Sequence, residues 1–160
     1  MKQERTAKMS NAPSNFHFEV HCPTQRPMLN ILRRFVSNVA EEMGFAFDDV
    51  CKIEMAVDEA CSNAFLHASE AVAAPGIEVR LAMSSDSLTI QIQDFGAKCG
   101  KKPKPRSPSL TDYQDLNRES YRGMGILIMQ EFMDDVQFAD NPDKGTLVTL
   151  RKFLKSPPAV

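Results

Sequence analysis

The sequence predicts a two-layer α/β (α+β) sandwich: one mostly antiparallel mixed sheet with helices on one face. Three observations predict it. Short segments that alternate apolar and polar residues recur along the chain, as half-buried strands do. Longer segments repeat apolar residues at spacings of three and four, as amphipathic helices do. The order β-α-α-β-β-loop-α-β-β places hairpin strands side by side and leaves the helices to cover one face.

Element by element, Phe16, Phe18 and Val20 alternate with His17, Glu19 and His21 to give a first strand. Pro23 and Pro27 bracket a helix start. From Met28 the residues Ile31, Leu32, Phe35, Val36 and Val39 keep one face, and Gly44 ends the helix. Asp48 or Asp49 is the expected cap of a second helix, whose stripe runs through Ile53, Ala56, Val57, Ala60, Cys61, Ala64 and Phe65. Pro75-Gly76 breaks the chain. Ile77, Val79 and Leu81, then Leu88, Ile90 and Ile92, predict two antiparallel strands joined through Ser84-Ser85-Asp86-Ser87. Ile126 to Met133 predicts a third helix. Val136-Gln137-Phe138 and Thr146 to Leu150 predict a terminal hairpin.

A chain of 160 residues fits one domain, expected over 15–155. Residues 1–14 hold few large apolar side chains and are expected to form a flexible tail, with a second flexible end at 156–160. The segment 96–121 contains Lys101-Lys102-Pro103-Lys104-Pro105-Arg106-Ser107-Pro108 and little to anchor it before Leu110. A loop of that length inside a compact domain is uncommon and often covers a site.

Composition narrows the function. A net charge of -2 supplies no broad positive field for nucleic acid or an anionic membrane, and no apolar run approaches the roughly 20 residues of a spanning helix. Four cysteines without a C-x-x-C pair, and no signal peptide, fit reduced thiols in a cytoplasm.

The chemistry concentrates on the second helix. Glu59, Asn63 and His67 stand four apart, in one row along an edge of the apolar stripe. A carboxylate there can take a proton from an attacking hydroxyl, and an amide oxygen one turn on can hold a divalent metal. Taken alone, such a pair more often describes a solvated helix face. Asp94 closes an alternating strand just before Phe95-Gly96, and can accept a purine amino group or simply make a turn. Arg122-Gly123-Met124-Gly125 opens the third helix, where unpaired N-H groups favour phosphate. Gly145-Thr146 leads into the last strand. No P-loop and no protein-kinase catalytic-loop pattern occurs. His17 and His21 are read as solvated strand residues.

In this order, the motifs resemble the GHKL (Bergerat-fold) ATPases, and within them the bacterial anti-sigma-factor serine/threonine kinases. The resemblance covers about 16–154. It rests on Glu54-Met-Ala-Val-Asp-Glu-Ala-Cys-Ser-Asn-Ala-Phe-Leu-His-Ala68, which is similar to the family's N box, and on Arg122-Gly-Met-Gly-Ile-Leu-Ile-Met-Gln-Glu-Phe-Met-Asp-Asp-Val136, which is similar to its second glycine box. The resemblance implies ATP and Mg²⁺ as cofactors. It makes Glu59 the general base, Asn63 the Mg²⁺ ligand and Asp94 the adenine acceptor. It sets Gly96, Arg122, Gly123, Met124 and Gly125 around the nucleotide, Thr146 near its adenine end, and 96–121 as an ATP lid.

Two departures stand out: Asp94-Phe-Gly-Ala-Lys98 lacks a second glycine, and Tyr121 precedes Arg122 where glycine is frequent in the family. With no phosphoacceptor-histidine helix and no transducer domain, a free-standing ATP domain is expected. The implied function is phosphorylation of an anti-sigma-factor antagonist alternating with sequestration of a sigma factor, in a homodimer whose contact and partner surface lies along the first helix near Arg26, Arg33 and Arg34. The alternative is an ATP-binding sequestration module without kinase chemistry.

Overall fold

The computed structural model describes residues 16–69, 76–95, 124–141 and 145–155. Among them the order is β1 (Phe16–Cys22), α1 (Arg26–Glu42), α2 (Phe47–Ser69), β2 (Ile77–Met83), β3 (Ser87–Asp94), α3 (Met124–Phe132), β4 (Asp135–Asn141) and β5 (Gly145–Phe153). The expected tail 1–14, the lid 96–121 and the end 156–160 lie outside the described residues. The strands form a single sheet in the order β1-β2-β3-β5-β4. All four pairings are antiparallel, so the mixed component of the expected sheet does not occur among them.

The pleat sends alternate residues to opposite faces. Ile77, Val79 and Leu81 of β2, Leu88, Ile90 and Ile92 of β3, and Val148 and Leu150 of β5 all point to the helical side and are buried. The α2 stripe predicted from the sequence meets them: Ile53, Ala56, Val57, Ala60, Cys61 and Ala64 are buried in the same core. Small residues at Ala56, Ala60 and Ala64 let α2 lie close to the sheet while keeping its polar row clear of the core. Buried surroundings push the Cys61 thiol, and to a lesser degree that of Cys22, above the usual thiol range, as inert structural cysteines require.

The cap of α2 differs from expectation. The helix begins at Phe47, so Asp48 and Asp49 fall inside its first turn, where their charge favours the positive end of the helix dipole. Asp49 turns inward instead of capping. Its Oδ1 lies 3.4 Å from Lys155 Nζ and 3.8 Å from the buried Lys152 Nζ. Lys152 in turn donates to the Phe132 carbonyl at the end of α3 (2.7 Å) and to Asp134 (3.3 Å). One ammonium therefore ties the start of α2, the end of α3 and β5 together.

Lys152→Met is expected to destabilise the protein by about 3 kcal/mol, because it strands a buried carboxylate and a helix-terminal carbonyl. Denaturant titration reads this directly. A loss below about 1 kcal/mol would mean that Lys155, together with Lys52 at 3.9 Å from Asp49 Oδ1, holds Asp49 unaided.

Arg33, expected on a partner surface, is engaged within the chain. Its Nε lies 3.1 Å from Glu54 and its guanidinium 3.8 Å from Asp58, while Ser37 donates to Glu54 at 3.2 Å. These contacts join α1 to α2. Arg26, Ile31 and Arg34 remain exposed on α1.

Candidate functional site

Glu59 and Asn63 stand one turn apart on α2, both partly exposed, on the helix that packs against α3. The residue that meets them is Gly125, buried in the first turn of α3. A Cβ placed on Gly125 would lie 2.5 Å from Glu59 Oε2, 3.4 Å from Glu59 Cδ and 3.6 Å from Asn63 Nδ2. No side chain fits there without moving the carboxylate. The glycine is thus demanded by close approach between two helices, not by backbone conformation. Two motifs more than sixty positions apart in sequence form one site.

The electrostatics of this site favour proton uptake. Partial burial raises the Glu59 carboxyl above the usual carboxylate range, and the neighbouring charge of Asp58 pushes it the same way. The first turn of α3 presents N-H groups without helical partners beside it, together with the positive end of the helix dipole. A carboxylate and an amide oxygen one turn apart are hard oxygen donors, the kind Mg²⁺ prefers, and the first-turn N-H groups of α3 suit phosphate oxygens.

A second cluster lies at the end of β3. Asp94 is buried on the helical side of the sheet, in register with Ile77 of β2. Its Oδ1 accepts the Thr146 main-chain N-H at 3.2 Å. Gly145, at φ +85°, runs so close to Asp94 that a Cβ would strike both its carboxylate and its main-chain carbonyl. Gln93 Nε2 donates to the Asp94 carbonyl at 2.6 Å and to the Thr146 carbonyl at 3.2 Å.

The structure thus brings Glu59, Asn63 and Gly125 together, and separately Asp94 and Thr146. Met124 opens α3 with its side chain about one-third exposed. Gly96, Arg122 and Gly123 lie outside the described residues, as does the side chain of His67. Gln93 and Gly145 were not among the expected site residues. Gln93 sits on the outward register of β3, where a polar side chain reads as solvated, so no pattern in the sequence could have singled it out.

Comparison with known proteins places these motifs in context. The family described as "Histidine kinase-like ATPase domain" matches residues 23–152. The chain is 32% identical over 143 residues to a serine-protein kinase RsbW of Bacillus licheniformis, covering 86% of each. It is 27% identical over 121 residues to an anti-sigma F factor of Clostridium perfringens, covering 76% of this chain and 84% of that one. Among solved structures, that of the RsbU and RsbW domains of Rv1364c from Mycobacterium tuberculosis superposes with a TM-score of 0.63 at 15% identity, over 89% of this chain. The chain spans about a third of that larger protein, and the likeness is one of fold.

Proposed function

The chain belongs to the histidine kinase-like ATPase domain family, and from that premise we propose that it is an ATP-dependent serine/threonine kinase and anti-sigma factor, phosphorylating an antagonist protein and alternately sequestering a sigma factor. The observation that carries the reading is Gly125 held against Glu59 and Asn63. It joins a base, an oxygen donor and a helix N-terminus at a single point.

In this reading the phosphates of ATP lie over Gly125, against the first-turn N-H groups of α3, with Gly123 and Arg122 continuing the phosphate contact. Asp94 accepts the adenine amino group, Thr146 stands beside it, and Gly96 is assigned to the same nucleotide site. Asn63 would hold Mg²⁺, which supplies charge neutralisation on the phosphate oxygens when bound. Glu59 takes the proton of the antagonist's serine or threonine hydroxyl as its oxygen forms a bond to the γ-phosphorus. The bond to the β-γ bridging oxygen breaks and ADP leaves. A carboxyl raised above its ordinary value is the stronger base for that proton.

The 96–121 segment would serve as the ATP lid. Work in the cytoplasm agrees with the charge and cysteine content, and no helix among the described residues is long and apolar enough to cross a membrane. The exposed side of α1, with Arg26, Ile31 and Arg34, is assigned to partner and homodimer contacts.

The reading is tested by incubating the protein with labelled ATP, Mg²⁺ and candidate antagonists. Label on a serine or threonine of one antagonist is the expected result. Nucleotide binding without any transfer, across antagonists that bind the protein, would leave a sequestration module instead.

A further inference from the structure

We infer that Gln93 is a positioning residue that sets the adenine preference of this site, by clamping the end of β3 to the start of β5 so that Asp94 is held at one place. The inference rests on the reading that Asp94 accepts the purine amino group.

The paired register of β3 with β5 runs to Gln93 opposite Leu147 and stops there. One residue further the pattern changes. The Thr146 N-H goes to the Asp94 carboxylate instead of to a main-chain carbonyl. At the same point the side-chain amide of Gln93, nine-tenths buried, donates to the carbonyls of both Asp94 and Thr146. Side chains have taken over from the ladder where the two strands reach the site.

The geometry leaves little slack. Gly145 passes Asp94 closely enough to exclude a Cβ, so any drift of β5 moves the group that the Asp94 carboxylate leans on. A buried carbonyl stripped of its donor seeks another, and the readiest relief is a shift of the Gly145-Thr146 turn. Asp94 then loses the Thr146 N-H from the place that the clamp fixes, and the aim of its carboxylate changes. An amine-accepting carboxylate discriminates only while it is aimed.

The specificity of the effect follows from where the clamp acts. ATP and ITP share ribose and triphosphate and differ at the purine 6-position, an amino group in one and a carbonyl in the other. Contacts around Glu59, Asn63 and Gly125 treat them alike. Loss of the Gln93 amide should therefore weaken ATP and leave ITP as it was.

The experiment measures Kd for ATP and ITP, and KM and kcat for ATP, in the parent chain, Gln93→Met and Gln93→Glu. Methionine keeps the shape and removes the donor; glutamate keeps the size and turns an oxygen toward two carbonyls. Each variant carries the same expectation, so one that folds suffices. The Kd and KM for ATP should rise about tenfold, with kcat and the ITP Kd within about twofold of the parent. In the nucleotide-free protein the Thr146 amide should exchange its hydrogen faster. A parental ATP-to-ITP ratio in a folded variant, equal weakening of both nucleotides, or an unchanged Thr146 exchange rate each overturns the clamp. A parent chain that binds ATP and ITP equally overturns the Asp94 reading first, and the clamp with it.

Discussion

Glu59→Gln is expected to bind ATP with nearly parental affinity while phosphoryl transfer falls by about 10²- to 10⁴-fold, the usual contribution of a positioned base. The amide keeps the size of the side chain beside Gly125 and cannot take the proton. Transfer by the parent should also fall as pH drops through the raised Glu59 value, at a higher pH than an ordinary glutamate would give.

The same substitution should stabilise the fold near pH 7. A carboxyl whose folded value is raised holds its proton more tightly in the folded state, so its favourable contribution is present at low pH and is lost as pH rises through that value. Glutamine mimics the protonated form. Melting curves of the two proteins should therefore separate near pH 7, with the variant higher, and converge below about pH 4 where both carry a neutral side chain. Unchanged transfer in the variant would remove Glu59 from the chemistry.

Gly125→Ala should abolish most transfer without loss of stability. The added methyl group meets the far end of a flexible glutamate side chain, which can swing aside, so the fold has an inexpensive way to accept it. Alanine in a helix is also favoured over glycine by about 0.5–1 kcal/mol. The carboxylate that swings aside no longer points where the attacking hydroxyl would give up its proton, and a misplacement of about 1 Å costs on the order of a hundredfold in rate. The expected pattern is a melting temperature equal to or above the parent's, weakened ATP binding, and transfer reduced at least a hundredfold. A fully active variant would mean that Glu59 reaches the substrate from another side.

Much of the fold was legible because the relevant patterns are local. Alternation in Ile77 to Leu81 and Leu88 to Ile92, and the stripe from Ile53 to Phe65, each reflect a single element pressing one face on the core, and every one of the expected helices and strands is present. The start of α2 was less legible. A carboxylate near a helix start has several ways to be satisfied, and only packing against β5 brings Lys152 to Asp49. Likewise Arg33, read as part of an outward basic patch, finds Glu54 and Asp58 once α1 lies on α2.

Periodicity and steric preference act within a few residues, so local sequence is enough to set the order of elements, the face that each buries and the spacing that puts Glu59 and Asn63 in one row. Tertiary structure alone decided what that row faces. That Gly125 must lack a side chain because Glu59 occupies the space, and that Gln93 turns its amide to the carbonyls of Asp94 and Thr146, depend on how closely separate elements approach. Such distances are set by packing across the whole core, and no local pattern of residues encodes them.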